Sequence, residues 1–137
     1  MDRNEQYHRK EAYILEMISL FHKPTERDQR DALFYRVQTA IEAAMDLVAM
    51  LVTDNRKTIG DDYHNIYTLE EEKILSVSLA TQLRKLNGLR NALAHRYNKF
   101  EEKIVIDNID SIKQSLKALV LITTHEQKIT PKHKARS

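Results

Sequence analysis

Leu33-Phe34-Tyr35-Arg36-Val37-Gln38-Thr39-Ala40-Ile41-Glu42-Ala43-Ala44-Met45-Asp46-Leu47-Val48-Ala49-Met50-Leu51 is the longest patterned segment of the chain. Leu33, Val37, Ala40, Ile41, Ala44, Leu47, Val48 and Leu51 recur at steps of three and four. On a helix of about 3.6 residues per turn they form one apolar stripe. The helix starts near Thr25, where Asp28 three residues on resembles a capping box. It ends near Thr53-Asp54-Asn55, after about seven turns. Such a stripe needs an antiparallel partner to cover it. The fold class that follows is all-α, an up-and-down helical bundle.

The rest of the chain supplies the partners. Before this segment, Tyr13, Ile14, Met17, Ile18 and Phe21 mark a helix over about residues 5–21, which stops ahead of Pro24. After it, residues 56–67 are the least regular part. Gly60-Asp61-Asp62 reads as a turn with solvated charges, and Tyr63, Ile66 and Leu69 suit a short helical turn. Thr68 with Glu71 reads as a second capping box. A third helix then carries Ile74, Leu75, Leu79, Leu83, Leu86, Leu89 and Leu93, with Gly88 inside it. A mid-helix glycine costs about 1 kcal/mol relative to alanine, and it permits close approach of another backbone.

Lys103-Ile104-Val105-Ile106 is β-like in composition but too short and isolated to make a sheet. Asp107 is the expected N-cap of a fourth helix bearing Ile109, Ile112, Leu116, Leu119, Val120 and Ile122. Residues 128–137 read as a frayed basic tail. The expected organisation is therefore one helical domain over residues 1–127 and a tail over 128–137.

Composition narrows the function. The chain has 137 residues, enough for one core. It has no Cys, which removes disulfides, thiolate metal sites and cysteine nucleophiles. The formal net charge is +2, so nucleic-acid binding must rest on a local patch. The only glycines, Gly60 and Gly88, stand alone, so there is no phosphate loop. No apolar run reaches membrane-spanning length, and the polar N-terminus carries no signal core. A cytoplasmic location is the expectation. No cofactor is expected. His8, His22, His64, His125 and His133 lack ligand spacing, so no metal site is expected either.

One segment carries chemistry: Gly88-Leu89-Arg90-Asn91-Ala92-Leu93-Ala94-His95-Arg96-Tyr97. Metal-free RNA cleavage needs a base to take the ribose 2′-hydroxyl proton, and histidine serves near neutral pH. It also needs a fixed cation on the phosphoryl oxygens, and arginine offers paired donors. Asn91 shares a face with His95 four residues on and can orient imidazole or substrate. At about 100° per residue, Arg90 and His95 point roughly 140° apart. Either the arginine bends round, or the helix distorts near Tyr97, or two copies face each other. The dimer is the favoured solution, because it brings two arginines and two histidines to one cleft.

The arginine, four residues, histidine, one residue, tyrosine pattern, with asparagine after the arginine, resembles the signature of HEPN-domain ribonucleases. More narrowly the chain resembles the HepT toxins of HepT/MNT toxin–antitoxin modules, the DUF86 family. Residues 40–47 are similar to that family's long second helix, residues 62–66 to its short pre-helix segment and residues 83–97 to its third helix. The resemblance covers roughly residues 14–121. It implies a four- to five-helix up-and-down bundle of HEPN type that dimerises through the motif helix. It implies a metal-independent endoribonuclease toxin of a type II or type VII module, acting on mRNA or tRNA by 2′-hydroxyl attack. Arg90 and His95 are then the catalytic pair, supported by Asn91. The implied partner is an MNT-type nucleotidyltransferase antitoxin that can add AMP to the motif tyrosine, Tyr97. Arg84, Lys85, Arg96 and Lys99 are candidate RNA phosphate contacts.

The bland readings are a capping His95, an Arg90 paired with a carboxylate, and a Tyr97 that only packs. The rival function is a non-catalytic HEPN-like helical binding partner of a nucleotidyltransferase.

Overall fold

The computed structural model describes the backbone of residues 2–95 and 99–135, and the side chains of residues 2–95 and 102–129. The described residues form six helices and no strand: α1 (Arg3–Ser19), α2 (Arg27–Asp54), α3 (Asp62–Glu71), α4 (Val77–His95), α5 (Lys99–Asp107) and α6 (Ile109–Ala135). The expected all-α bundle is the observed fold, with α3 and α5 as two short additions to the long helices.

Helix α2 packs against each of the other five. Every residue of its sequence stripe is buried, and Ala43, Met45 and Val52 are buried as well. The stripe is wider than one partner could cover, so the neighbours wrap the helix. Burying a leucine or isoleucine side chain contributes roughly 1.5–3 kcal/mol. The α2 residues are therefore the main source of cohesion.

Helix α1 docks through Tyr7, Glu11, Ile14 and Ile18, one face at helical spacing. Tyr13, expected on that face, is exposed. Asp2 caps the helix by accepting from the Glu5 N–H at 2.9 Å. The Glu11 carboxylate is buried against α6, where Oε2 accepts from Thr123 Oγ1 (2.5 Å), Thr124 Oγ1 (3.2 Å) and Gln127 Nε2 (2.9 Å). A buried carboxylate without such donors would be costly. At the other end of α2, Asp54 accepts from Tyr7 Oη at 2.7 Å and pairs with Arg3 at 3.0 Å. These contacts tie the start of α1 to the end of α2.

Several local expectations need correction. Thr25 and Asp28 form no capping box. Helix α2 starts at Arg27 without a side-chain cap, and Thr25 instead donates N–H and Oγ1–H to Gln29 Oε1, both at 2.9 Å. Thr68 and Glu71 do not open the motif helix. They lie in α3, where the Thr68 hydroxyl donates to the His64 carbonyl at 3.1 Å. The motif helix is capped by Ser76, whose Oγ accepts from the Leu79 N–H at 3.1 Å.

Residues 103–106 are helical within α5. No strand lies beside them among the described residues, so the backbone satisfies its polar groups internally, and Val105 is buried. Asp107 is consequently the last residue of α5 rather than an N-cap. The junction falls to Asn108, whose Nδ2 donates to the Ile104 carbonyl at 2.8 Å and whose carbonyl accepts from the Ile112 N–H at 2.9 Å. Helix α6 runs to Ala135, so the backbone past Gln127 continues the helix where fraying was expected. The side chains of residues 130–137 lie outside the described residues.

Burial, and then the hydrogen bond to Asp54, pushes the Tyr7 phenol well above the ordinary tyrosine range. The folded chain keeps a proton that the unfolded chain releases near pH 10. The stability this provides is complete below about pH 10 and is lost as pH rises beyond it. Urea midpoints between about pH 9 and about pH 11 should therefore fall less steeply for Tyr7→Phe than for wild type. Equal slopes would count against this role for the phenol.

Candidate active site on the motif helix

Helix α4 sorts the motif residues onto two faces. Leu83, Leu86 and Leu93 are buried, and Arg90 stands seven, four and three residues from them. Arg90 therefore belongs to the core-facing side, and its side chain is 24% exposed. His95 is exposed and half-buried Asn91 lies one turn before it, on the face that also carries Gly88 and Ala92. The helix is regular through His95, so it does not swing Arg90 and His95 together. The separation of roughly 140° expected from helical spacing stands within the chain.

Arg90 is pinned from α3. Its Nη2 donates to Asp62 Oδ2 at 3.2 Å, and the Asp62 side chain is 31% exposed. A half-buried guanidinium needs such a partner, because burying an unpaired charge costs several kcal/mol. The contact uses one nitrogen. Among the described residues, Arg90 Nε is buried without a hydrogen-bond partner, and so is Oδ1 of Asn87, one turn earlier. A donor and an acceptor thus stand unused on the core-facing side of the same turn.

The other candidates separate. Arg84 is ion-paired with Glu70 of α3, so its charge is already matched. Lys85 is exposed. Arg96, Tyr97 and the Lys99 side chain lie outside the described residues. Asp62, a solvated turn charge by sequence, instead meets Arg90. The available signal was its place on the first turn of a helix that runs back along α4. Chain direction is opposite on the two helices, which sets Glu70 against Arg84 and Asp62 against Arg90. Among the described residues, no three acidic or histidine side chains are placed to hold a metal ion. No described helix is long and apolar enough to cross a membrane.

Residues 8–121 match the family model described as HepT-like, ribonuclease HepT-like. A relative from Archaeoglobus fulgidus, named "Putative RNase", is 39% identical over 115 residues, which is 83% of this chain and 87% of that protein. A second protein of the same name from that organism is 46% identical over 80 residues, 58% of this chain and 61% of its own length. Among solved structures, the tri-AMPylated HEPN toxin of Shewanella oneidensis in complex with its MNT antitoxin superimposes with a TM-score of 0.81. That match covers 92% of this chain and all of the other at 18% identity, and it shows a shared fold.

Gly88 has no steric reason within the protomer. A Cβ placed there would meet only the Tyr63 hydroxyl, at an ordinary 3.5 Å. Gly88→Ala should therefore stabilise an isolated protomer by about 0.5–1 kcal/mol in urea unfolding. A loss of stability instead would show that another chain packs on this face of α4.

Proposed function

The chain belongs to the HepT-like ribonuclease family, and on that premise we propose that it is a metal-independent endoribonuclease toxin of a HepT/MNT module. The observation that carries this reading is on α4. A half-buried Arg90, anchored by one nitrogen, stands five residues from an exposed His95 that shares a face with Asn91.

His95 takes the proton of a ribose 2′-hydroxyl. The oxygen then attacks the adjacent phosphorus, the bond to the 5′ oxygen breaks, and that oxygen leaves with a proton. Arg90 stabilises the charge that builds on the phosphoryl oxygens. Asn91 orients the imidazole or the substrate. Because one protomer keeps Arg90 and His95 on different faces, the working unit is a homodimer in which the motif helices face each other. One His95 can then act as base and the other as acid.

The partner in this reading is an MNT-type nucleotidyltransferase. Support comes from the fold match to an AMPylated HEPN toxin held by such an antitoxin. Tyr97 is the proposed AMP acceptor. A nucleotide on a tyrosine two residues from His95 puts negative charge where the RNA phosphate must bind. Lys85, Arg96 and Lys99 are proposed to draw RNA phosphates to the site.

The test is cleavage of a mixed tRNA and mRNA pool by purified protein in excess chelator, with intact mass confirming that Tyr97 is unmodified. Wild type should cleave, and His95→Ala should lose at least about 100-fold in rate. Its helical circular dichroism should stay unchanged, because the side chain is exposed. Persistent cleavage by His95→Ala overturns the catalytic assignment. No cleavage by the folded, unmodified wild-type dimer favours the non-catalytic partner of a nucleotidyltransferase.

A further inference from the structure

The first turn of α3 is fixed by its neighbours. Asp61 Oδ1 accepts from the His64 N–H at 2.8 Å and caps the helix. Asn65 is buried and closes a ring with Gly60: the Gly60 N–H donates to Asn65 Oδ1 at 2.9 Å, and Asn65 Nδ2 donates to the Gly60 carbonyl at 3.2 Å. Between these two clips stands Asp62, and its carboxylate takes one nitrogen of Arg90. A guanidinium has five N–H donors in a rigid fork. Nη2 gives one of them to Asp62, and Nε is buried, so the donors left for an incoming acceptor are the remaining N–H groups of Nη1 and Nη2. A bidentate pair would take two of the five donors, whereas this contact takes one.

We propose that Asp62 is the positioning residue for Arg90, holding the guanidinium by one nitrogen so that its other terminal N–H donors are available to a substrate phosphoryl group. This rests on the reading of Arg90 as the cation that stabilises the reacting phosphate. A long arginine side chain loses rotamer freedom when it docks on phosphate. Anchoring it beforehand moves that loss out of the reaction step. The carboxylate also lowers the net positive charge near the phosphate. The arrangement therefore favours geometry over raw attraction, and Asp62 should govern kcat more than KM.

The test uses full-length wild type, Asp62→Asn and Asp62→Glu on an RNA oligonucleotide that wild type cuts. Asp62→Asn should lower kcat by about 10- to 100-fold while KM stays within about 3-fold, because small misplacements of a catalytic group have effects of that size. Asp62→Glu, which keeps the charge, should recover kcat to within about 5-fold of wild type. Thermal midpoints are measured alongside, and rates are taken well below all of them, so that lost folding does not pass for lost catalysis. The Arg90 guanidinium resonance, assigned by its loss in Arg90→Lys, should show faster motion in Asp62→Asn than in wild type.

An unchanged kcat in Asp62→Asn overturns the proposal. So does a faster enzyme with lower KM, which would mean that the carboxylate competes with phosphate for Arg90. An equal loss in the Asn and Glu variants also overturns it, by showing a purely structural role. If wild type itself does not cleave, the ribonuclease reading has failed, and the positioning role falls with it.

Discussion

Helix α2 has to be surrounded, and the rest of the bundle follows from that. Its buried residues extend beyond a single stripe, from Leu33 to Val52, and five helices share the work of covering them. Helices α1 and α6 close around it on one side and α3 and α4 on another. The motif helix gains its place in the same way. Leu83, Leu86 and Leu93 anchor α4 in the core, and the residues between them are thereby divided into an inward set and an outward set. Arg90 falls inward and His95 outward because five residues of α-helix separate them, and no local distortion intervenes.

Polar groups then fix what apolar packing leaves loose. Hydrophobic contact is non-directional and does not by itself set how far one helix slides along another. Hydrogen bonds between elements do. Asp54 gathers Arg3 and Tyr7 at one end of α1, and Glu11 gathers Thr123, Thr124 and Gln127 along its middle. On the other side of α2, Glu70 and Asp62 hold Arg84 and Arg90. The exposed surface pairs among these contribute little to stability on their own. Their effect is to set register, and for Arg90 register fixes where the guanidinium stands.

This arrangement links the fold to the proposed chemistry. The chain carries Arg90 on one side of α4 and His95 on the other. A regular helix does not bring the two side chains together.

The sequence by itself determined the fold class and the position of the motif. The α2 stripe and the leucines of α4 are periodic, and periodicity is a local property of the chain that needs no knowledge of its neighbours. The motif spacing likewise carried the expected separation of Arg90 and His95, because helical geometry converts residue count into angle. Caps and short helices were less legible. Thr25 bonds Gln29 rather than completing a box with Asp28, and the β-like residues 103–106 fold into α5. Propensity is weak beside the demand of each backbone group for a partner. Only the tertiary structure decided that Asp62 meets Arg90 across 28 positions of sequence. No local pattern contains that contact. It exists because α3 and α4 pack side by side against α2, and a half-buried guanidinium there takes the carboxylate within its reach.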